Sequence, residues 1–132
     1  MNKKILYGPQ TKASLENFPF EYHTVMLEFV YAMVMIKKAA AVANLKAGKL
    51  DKKLSDKIVA SCDEILKGKY DEQFVVSAHH GGAGTSVNMN VNEVIGTLAG
   101  AHPNDHVNSS QSTNDVNPSA LKIASIKLTE KL

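Results

Sequence analysis

Two short stretches of this sequence gather groups suited to holding an anion. The first runs Gly81-Gly82-Ala83-Gly84-Thr85-Ser86-Val87-Asn88 and the second Gln111-Ser112-Thr113-Asn114-Asp115. Glycines let the backbone approach a ligand closely, and Thr85 and Ser86 follow where a helix is expected to begin. Free N–H groups and the positive end of the helix dipole make such a start suited to a carboxylate or phosphate. Ser112, Thr113 and Asn114 are successive hydroxyl and carboxamide donors, and a neutral donor bonds a charged oxygen more strongly than a neutral one. Each stretch also has a purely structural reading. Ser86 can cap a helix after a glycine turn, and Ser112 or Asn114 can cap the helix that follows.

Other chemistries fit poorly. The glycine spacing matches neither a dinucleotide fingerprint nor a Walker loop, since Gly-Lys-Ser/Thr is absent and no secure strand precedes it. His102 and His106 are four apart, but Pro103 and Asn104 between them indicate a turn rather than a metal-binding helix, and no cysteine is near, so neither a metal nor another cofactor is expected. His79-His80 reads as polar rim. The net charge of +2 and the scattered lysines argue against nucleic acid and membrane surfaces. All 15 basic residues are lysine, so an anion site here has no guanidinium fork and must use hydroxyls, amides, backbone N–H groups and lysine.

The positioning elements are expected to be helices. Apolar residues from Val25 to Ala43 recur at three- and four-residue spacing, predicting a long helix from about Tyr22 to Ala47, apolar on more than one side and stopped by Gly48. Asp51 is expected to cap a second helix whose stripe is Leu54, Ile58, Cys62, Ile65 and Leu66, with Gly68 ending it. A third is expected from about Val87 to Leu98. Asn117-Pro118 reads as an N-cap followed by proline at the first helical position, starting a fourth through Ala120, Leu121, Ala124 and Leu128. Residues 1–20 read as an extended lead-in, and Phe74-Val75-Val76 as β-prone but short. The apolar run from Val25 to Ile36 contains Glu28 and is shorter than the ~20 residues of a membrane span. The opening Met1-Asn2-Lys3-Lys4 is followed by too short an apolar run for a signal peptide, which makes a cytoplasmic location the expectation; the single cysteine, Cys62, is expected to pack in the core.

The order of motifs along the chain resembles the N-terminal part of the aspartase/fumarase (fumarate lyase) superfamily. The resemblance rests on Tyr7-Gly8-Pro9-Gln10-Thr11 with Leu15-Glu16-Asn17-Phe18-Pro19, on Gly82-Ala83-Gly84-Thr85-Ser86 through Glu93-Val94-Ile95, on His102-Pro103-Asn104-Asp105-His106-Val107-Asn108, and on Gln111-Ser112-Thr113-Asn114-Asp115. It implies a mainly α fold: the N-terminal lyase domain over residues 1–114 and, over 115–132, the start of a helix of a central bundle. It implies a homotetrameric lyase that reversibly eliminates a leaving group from a succinate-like dicarboxylate to give fumarate, through an enediolate-like intermediate needing preorganised donors. By motif match, Thr85, Ser86, Ser112, Thr113 and Asn114 bind the substrate. His102, Asn104 and Asp105 fall in the stretch associated in fumarases with an accessory dicarboxylate site.

Within the superfamily, Ala83-Gly84-Thr85-Ser86-Val87-Asn88 and Ser112-Thr113-Asn114-Asp115 look more like aspartate ammonia-lyases, so ammonia is the expected leaving group; a fumarase, or a non-catalytic dicarboxylate-binding or oligomerisation module, is the alternative. Three departures stand out. The family's Gly-Ser-Ser-x-Met-Pro-x-Lys-x-Asn loop with its serine base is absent, so the sequence reads as a fragment expected to be inactive alone. The connection Gly96-Thr97-Leu98-Ala99-Gly100-Ala101 is shorter than in the family, which is expected to alter the accessory site. Ala13 falls where many relatives carry arginine, and His79-His80 replaces a tryptophan- or glutamine-containing approach.

Overall fold

A computed structural model describes residues 4–20, 23–80 and 82–132; Tyr22 and Gly81 of the segments above lie outside the described residues. Five helices follow in order: α1 (Pro9–Asn17), α2 (Leu27–Lys46), α3 (Lys52–Leu66), α4 (Thr85–Ala99) and α5 (Thr113–Thr129). The chain is mainly α. Among the described residues the only β feature is an isolated antiparallel bridge between Thr24 and Ser77. Phe74 and Val76 are buried beside it as core rather than as a strand, because the chain facing them turns into α2 at Leu27 just after Val25 N donates to Val76 O.

The packing centres on α2 and α4. α2 lies chiefly against α3 and α5, and α4 against α1, α3 and the turn that follows α4. Val30, Met33 and Val34 of α2, Ile58, Cys62 and Ile65 of α3, Val87, Val91, Val94 and Ile95 of α4, and Val116, Ala120 and Ala124 of α5 are buried together. α2 buries one stripe, Val30, Met33, Val34, Lys37, Ala41 and Asn44, with Ala32 buried on the other side; Ala39, Val42 and Ala43 are exposed, so the covering is narrower than its apolar pattern predicts. α3 starts where expected: Asp51 accepts from Leu54 N at 2.9 Å. Cys62 is fully buried, and burial pushes its thiol up to about 12, so it stays a neutral packing group. No helix among the described residues is long and apolar enough to cross a membrane.

Two elements differ from the sequence expectation. The lead-in contains helix α1, whose sequence has no apolar stripe. It forms because Pro9 opens it and because Glu93, from within α4, supplies the cap. Its carboxylate accepts from Gly8 N at 2.8 Å, Gln10 N at 2.9 Å, Thr11 N at 3.1 Å and Thr11 Oγ1 at 2.6 Å. α5 begins at Thr113 rather than at Pro118. Ser112 is the cap, accepting from Asn114 N at 3.2 Å, and Pro118 stands inside the helix. Asn117, expected as a cap, instead donates from Nδ2 to Ala83 O at 2.7 Å.

Candidate anion-binding site

The first polar stretch forms a loop running directly into α4. Gly84, at φ +84°, is the N-cap residue, and Asn88 N donates to Gly84 O at 3.1 Å. No side chain caps this end, so the amides of its first turn carry no intrahelical partner. Thr85 is exposed and Ser86 half-buried at that end. A cleft of about 140 Å³ opens between this turn and α1, lined by Gln10, Ala13, Ser14, Asn17, Thr85 and Ser86 among others. Ala13 therefore stands on the wall of the cleft.

The second polar stretch lies beside the first. Asn117 of α5 bonds the glycine loop at Ala83, and a Cβ on Gly84 would overlap its amide nitrogen. A side chain at Gly84 would thus displace the Asn117 carboxamide from Ala83 as well as strain a left-handed backbone. Thr113, half-buried in the first turn of α5, is reached from α4: Asn88 Nδ2 donates to Thr113 Oγ1 at 3.3 Å. Ser112 and Asn114 are exposed on either side of it. Five of the sequence-predicted residues, Thr85, Ser86, Ser112, Thr113 and Asn114, so belong to two adjoining helix starts tied by Asn88 and Asn117. Donor-rich helix starts of this kind can hold a carboxylate.

The three other predicted residues stand apart. His102 caps a π-helical turn, Pro103–Val107, which closes on itself. Asp105 N donates to His102 Nδ1 at 3.1 Å, and His102 N donates to His106 Nδ1 at 2.9 Å. The Asp105 carboxylate stands 3.1 Å from the same His102 nitrogen. His102, Asn104 and Asp105 are exposed, and no hydrogen bond among the described residues joins them to Thr85, Ser86 or Thr113. The short connection before this turn is made by Gly100, left-handed at φ +64°, whose amide bonds Gly96 O. Among the described residues no three His, Cys, Asp or Glu side chains are grouped to hold a metal ion.

Beneath Thr113 lies a polar cluster to which the sequence reading gave no role. Lys37 of α2 is fully buried and donates from Nζ to Asn108 Oδ1 at 2.8 Å. Asn88 Nδ2 and Asn92 Nδ2 donate to the same oxygen, each at 3.2 Å. Desolvation lowers the Lys37 ammonium to about 7. The readable signal was the pair Asn88 and Asn92, four apart and therefore on one face of α4, a helix that also buries Asn90 and Glu93. Lys37, beside Lys38, reads as an ordinary solvated charge.

Residues 2–132 match a sequence family described as lyase. An aspartate ammonia-lyase of Bacillus subtilis (strain 168) is 46% identical over 140 aligned residues, covering 97% of this chain and 30% of that protein. A class II fumarate hydratase of Prochlorococcus marinus is 44% identical over 134 residues, covering 92% and 29%. A crystal structure of fumarate lyase:delta crystallin from Brucella melitensis superposes with a TM-score of 0.89 at 45% identity, covering 92% of this chain and 32% of that one. A class II fumarase from Schistosoma mansoni does so at 0.87 and 39%, covering 94% and 29%. The chain spans about 30% of the length of the relatives it matches.

Proposed function

The chain belongs to the aspartase/fumarase (fumarate lyase) superfamily, and from that membership we propose that it is the N-terminal part of a carbon–nitrogen lyase that reversibly eliminates ammonia from L-aspartate to give fumarate. Its mainly α fold is the N-terminal portion of that superfamily's fold. The observation that carries the proposal is the meeting of two helix starts, one bearing Thr85 and Ser86 and the other Ser112, Thr113 and Asn114, tied through Asn88 and Asn117. A carboxylate held there meets backbone N–H groups, hydroxyls and a carboxamide, all neutral donors. When a proton leaves the carbon next to that carboxylate, charge grows on the bound oxygens, and donors already in place stabilise it without reorganising.

Residues 1–132 supply this carboxylate-holding part; no base is assigned to them, and turnover is assigned to a longer, cytoplasmic, homotetrameric protein. Residues 1–114 are assigned to its N-terminal domain and 115–132, which continue α5 from its first turn, to the start of its central bundle. His102, Asn104 and Asp105 are assigned to an accessory dicarboxylate site. Ammonia is preferred over water as leaving group because of Thr85-Ser86 and Ser112-Thr113-Asn114-Asp115. The similar identity to a fumarate hydratase keeps malate dehydration as the second reading. Following fumarate absorbance after adding L-aspartate or L-malate to the full-length protein tests the assignment. Fumarate is expected from aspartate; fumarate from malate alone overturns the preference, and from neither overturns both.

A further inference from the structure

We infer that Lys37 is a positioning residue that fixes the direction of a hydrogen-bond chain, through Asn108 and Asn88, so that the Thr113 hydroxyl keeps its proton free for a substrate carboxylate. The inference rests on the reading of Thr113 as a substrate contact. Lys37 itself is fully buried in α2 and is placed to act only through other groups.

The direction follows from what each group can do. The Lys37 ammonium has three donors and no acceptor, whereas the neutral amine would also offer a lone pair, so it is the protonated form that fixes the direction. Asn108 must therefore turn its oxygen, not its nitrogen, toward Lys37, and it does so at 2.8 Å. Its nitrogen points the other way and donates to Gln111 O at 3.2 Å. That oxygen is also the acceptor for Asn88 and Asn92, so both must present their nitrogens to it. The same Asn88 nitrogen reaches Thr113 Oγ1 at 3.3 Å, which makes the hydroxyl an acceptor on its inner side and leaves its proton to be donated outward.

The arrangement is imposed on the asparagines rather than chosen by them. Asn88 Oδ1 and Asn92 Oδ1 are buried and have no hydrogen-bond partner among the described residues, an unfavourable state for carboxamide oxygens. If Asn108 could turn its nitrogen inward, Asn88 and Asn92 could turn too and pair those oxygens. Asn88 would then face Thr113 with an acceptor, and the hydroxyl would spend its proton inward, leaving an oxygen lone pair toward the carboxylate. Two groups oppose this: the Gln111 carbonyl, which can only accept from Asn108 Nδ2 at 3.2 Å, and, at the shorter 2.8 Å, an ammonium that can only donate to Asn108 Oδ1. Protonated Lys37 is that ammonium, and Cys62 of α3, whose thiol burial keeps neutral, cannot replace it.

The test is a double-mutant cycle in the full-length protein, using steady-state kinetics with whichever of L-aspartate or L-malate it turns over. T113V and K37M are each expected to raise KM about tenfold, the loss of one hydrogen bond to a charged group, with kcat changed by less than about threefold. Combined, they are expected to raise KM no more than about twofold beyond T113V alone, because both remove the same donated proton. A second, roughly tenfold rise in the double variant would show that Lys37 acts independently of Thr113, and overturns the inference. An unchanged KM for T113V overturns the reading of Thr113 itself, which separates the two failures. N88D gives the same test in a side chain of unchanged shape should K37M fail to fold. Facing Thr113 with acceptors only, it is expected to raise KM about tenfold in the parent and not further beside T113V; an unchanged KM in the parent, or an additive effect, overturns the inference.

Discussion

Glu93 and Lys37 are both buried charges inside the helical core, yet they are treated in opposite ways. Glu93, in α4, has its carboxylate filled by three backbone amides and the Thr11 hydroxyl. Lys37, in α2, has one bond to a neutral carboxamide oxygen. The first is what a buried charge needs in order to hold structure together: its bonds join segments more than 80 residues apart and supply the cap that α1 lacks locally. The second is poorly satisfied, and burial lowers its pKa to about 7. A chain that only needed stability at position 37 would do better with an apolar side chain, so the contrast separates a charge kept for the fold from one kept for the site.

Removing the Glu93 charge is the strongest way to test the first half of that contrast. In Glu93→Gln one carboxylate oxygen becomes a nitrogen facing amide donors, which both loses acceptors and sets donors against each other. The expected loss is about 3 kcal/mol of unfolding free energy, measured by chemical denaturation. Protease cleavage within residues 9–17 should rise along with it, because α1 loses its cap. Unchanged stability would mean that the carboxylate is not the lock that its bonds describe.

The second half of the contrast has the opposite sign. Lys37→Met should stabilise the chain by about 1–4 kcal/mol, because an ammonium with one neutral partner is replaced by a side chain of similar length that needs none. The pH dependence identifies the cause. The group's ordinary pKa is 10.5 and the buried one is about 7. Between those values the unfolded chain holds a proton that the folded chain has released, so wild-type stability rises with pH across the window. The burial penalty is fully present below about pH 7 and fades toward 10.5. The advantage of Lys37→Met should therefore be largest below pH 7 and nearly gone at pH 10.5, read from denaturation midpoints of both proteins across that range. An advantage constant with pH would point to packing rather than charge.

These two residues also mark where the sequence stops being readable. Helix α3 is legible because its signals are local: Asp51 bonds Leu54, three residues on, and Gly68 follows its end with a positive φ. α2 and α4 are legible within a few residues from their apolar spacing, and the two polar stretches from their composition. α1 is not, because its cap comes from Glu93, and no local pattern announces a bond of that separation. The start of α5 is misread for a related reason. Asn117-Pro118 carries a strong local start signal, but Ser112 takes the capping role and Asn117 is used against Ala83. Lys37, Asn88 and Asn92 are the hardest, since a polar residue on the inner face of a helix looks in sequence like an interruption of the stripe. Its meaning appears only when the facing helix supplies the partner.

The smallest expected effects give the sharpest version of the comparison, because each buried charge is connected to a threonine. Thr11 Oγ1 donates to Glu93 at 2.6 Å, and Thr11 is fully buried. Thr113 Oγ1 only accepts, at 3.3 Å, from an Asn88 nitrogen that also bonds Asn108. Valine at each position keeps the shape and removes the hydroxyl. Thr11→Val takes a short bond from a buried carboxylate and should cost about 1.5–3 kcal/mol. Thr113→Val takes a long bond from a donor that keeps another acceptor, at a half-buried site, and should change stability by no more than about 0.5 kcal/mol. If Thr113→Val instead destabilises the chain as much as Thr11→Val, Thr113 serves the fold as Thr11 does. The polar cluster above Lys37 would then be a second lock rather than a site. A large loss at position 11 with almost none at position 113 is the outcome expected of a hydroxyl held ready for something outside the fold.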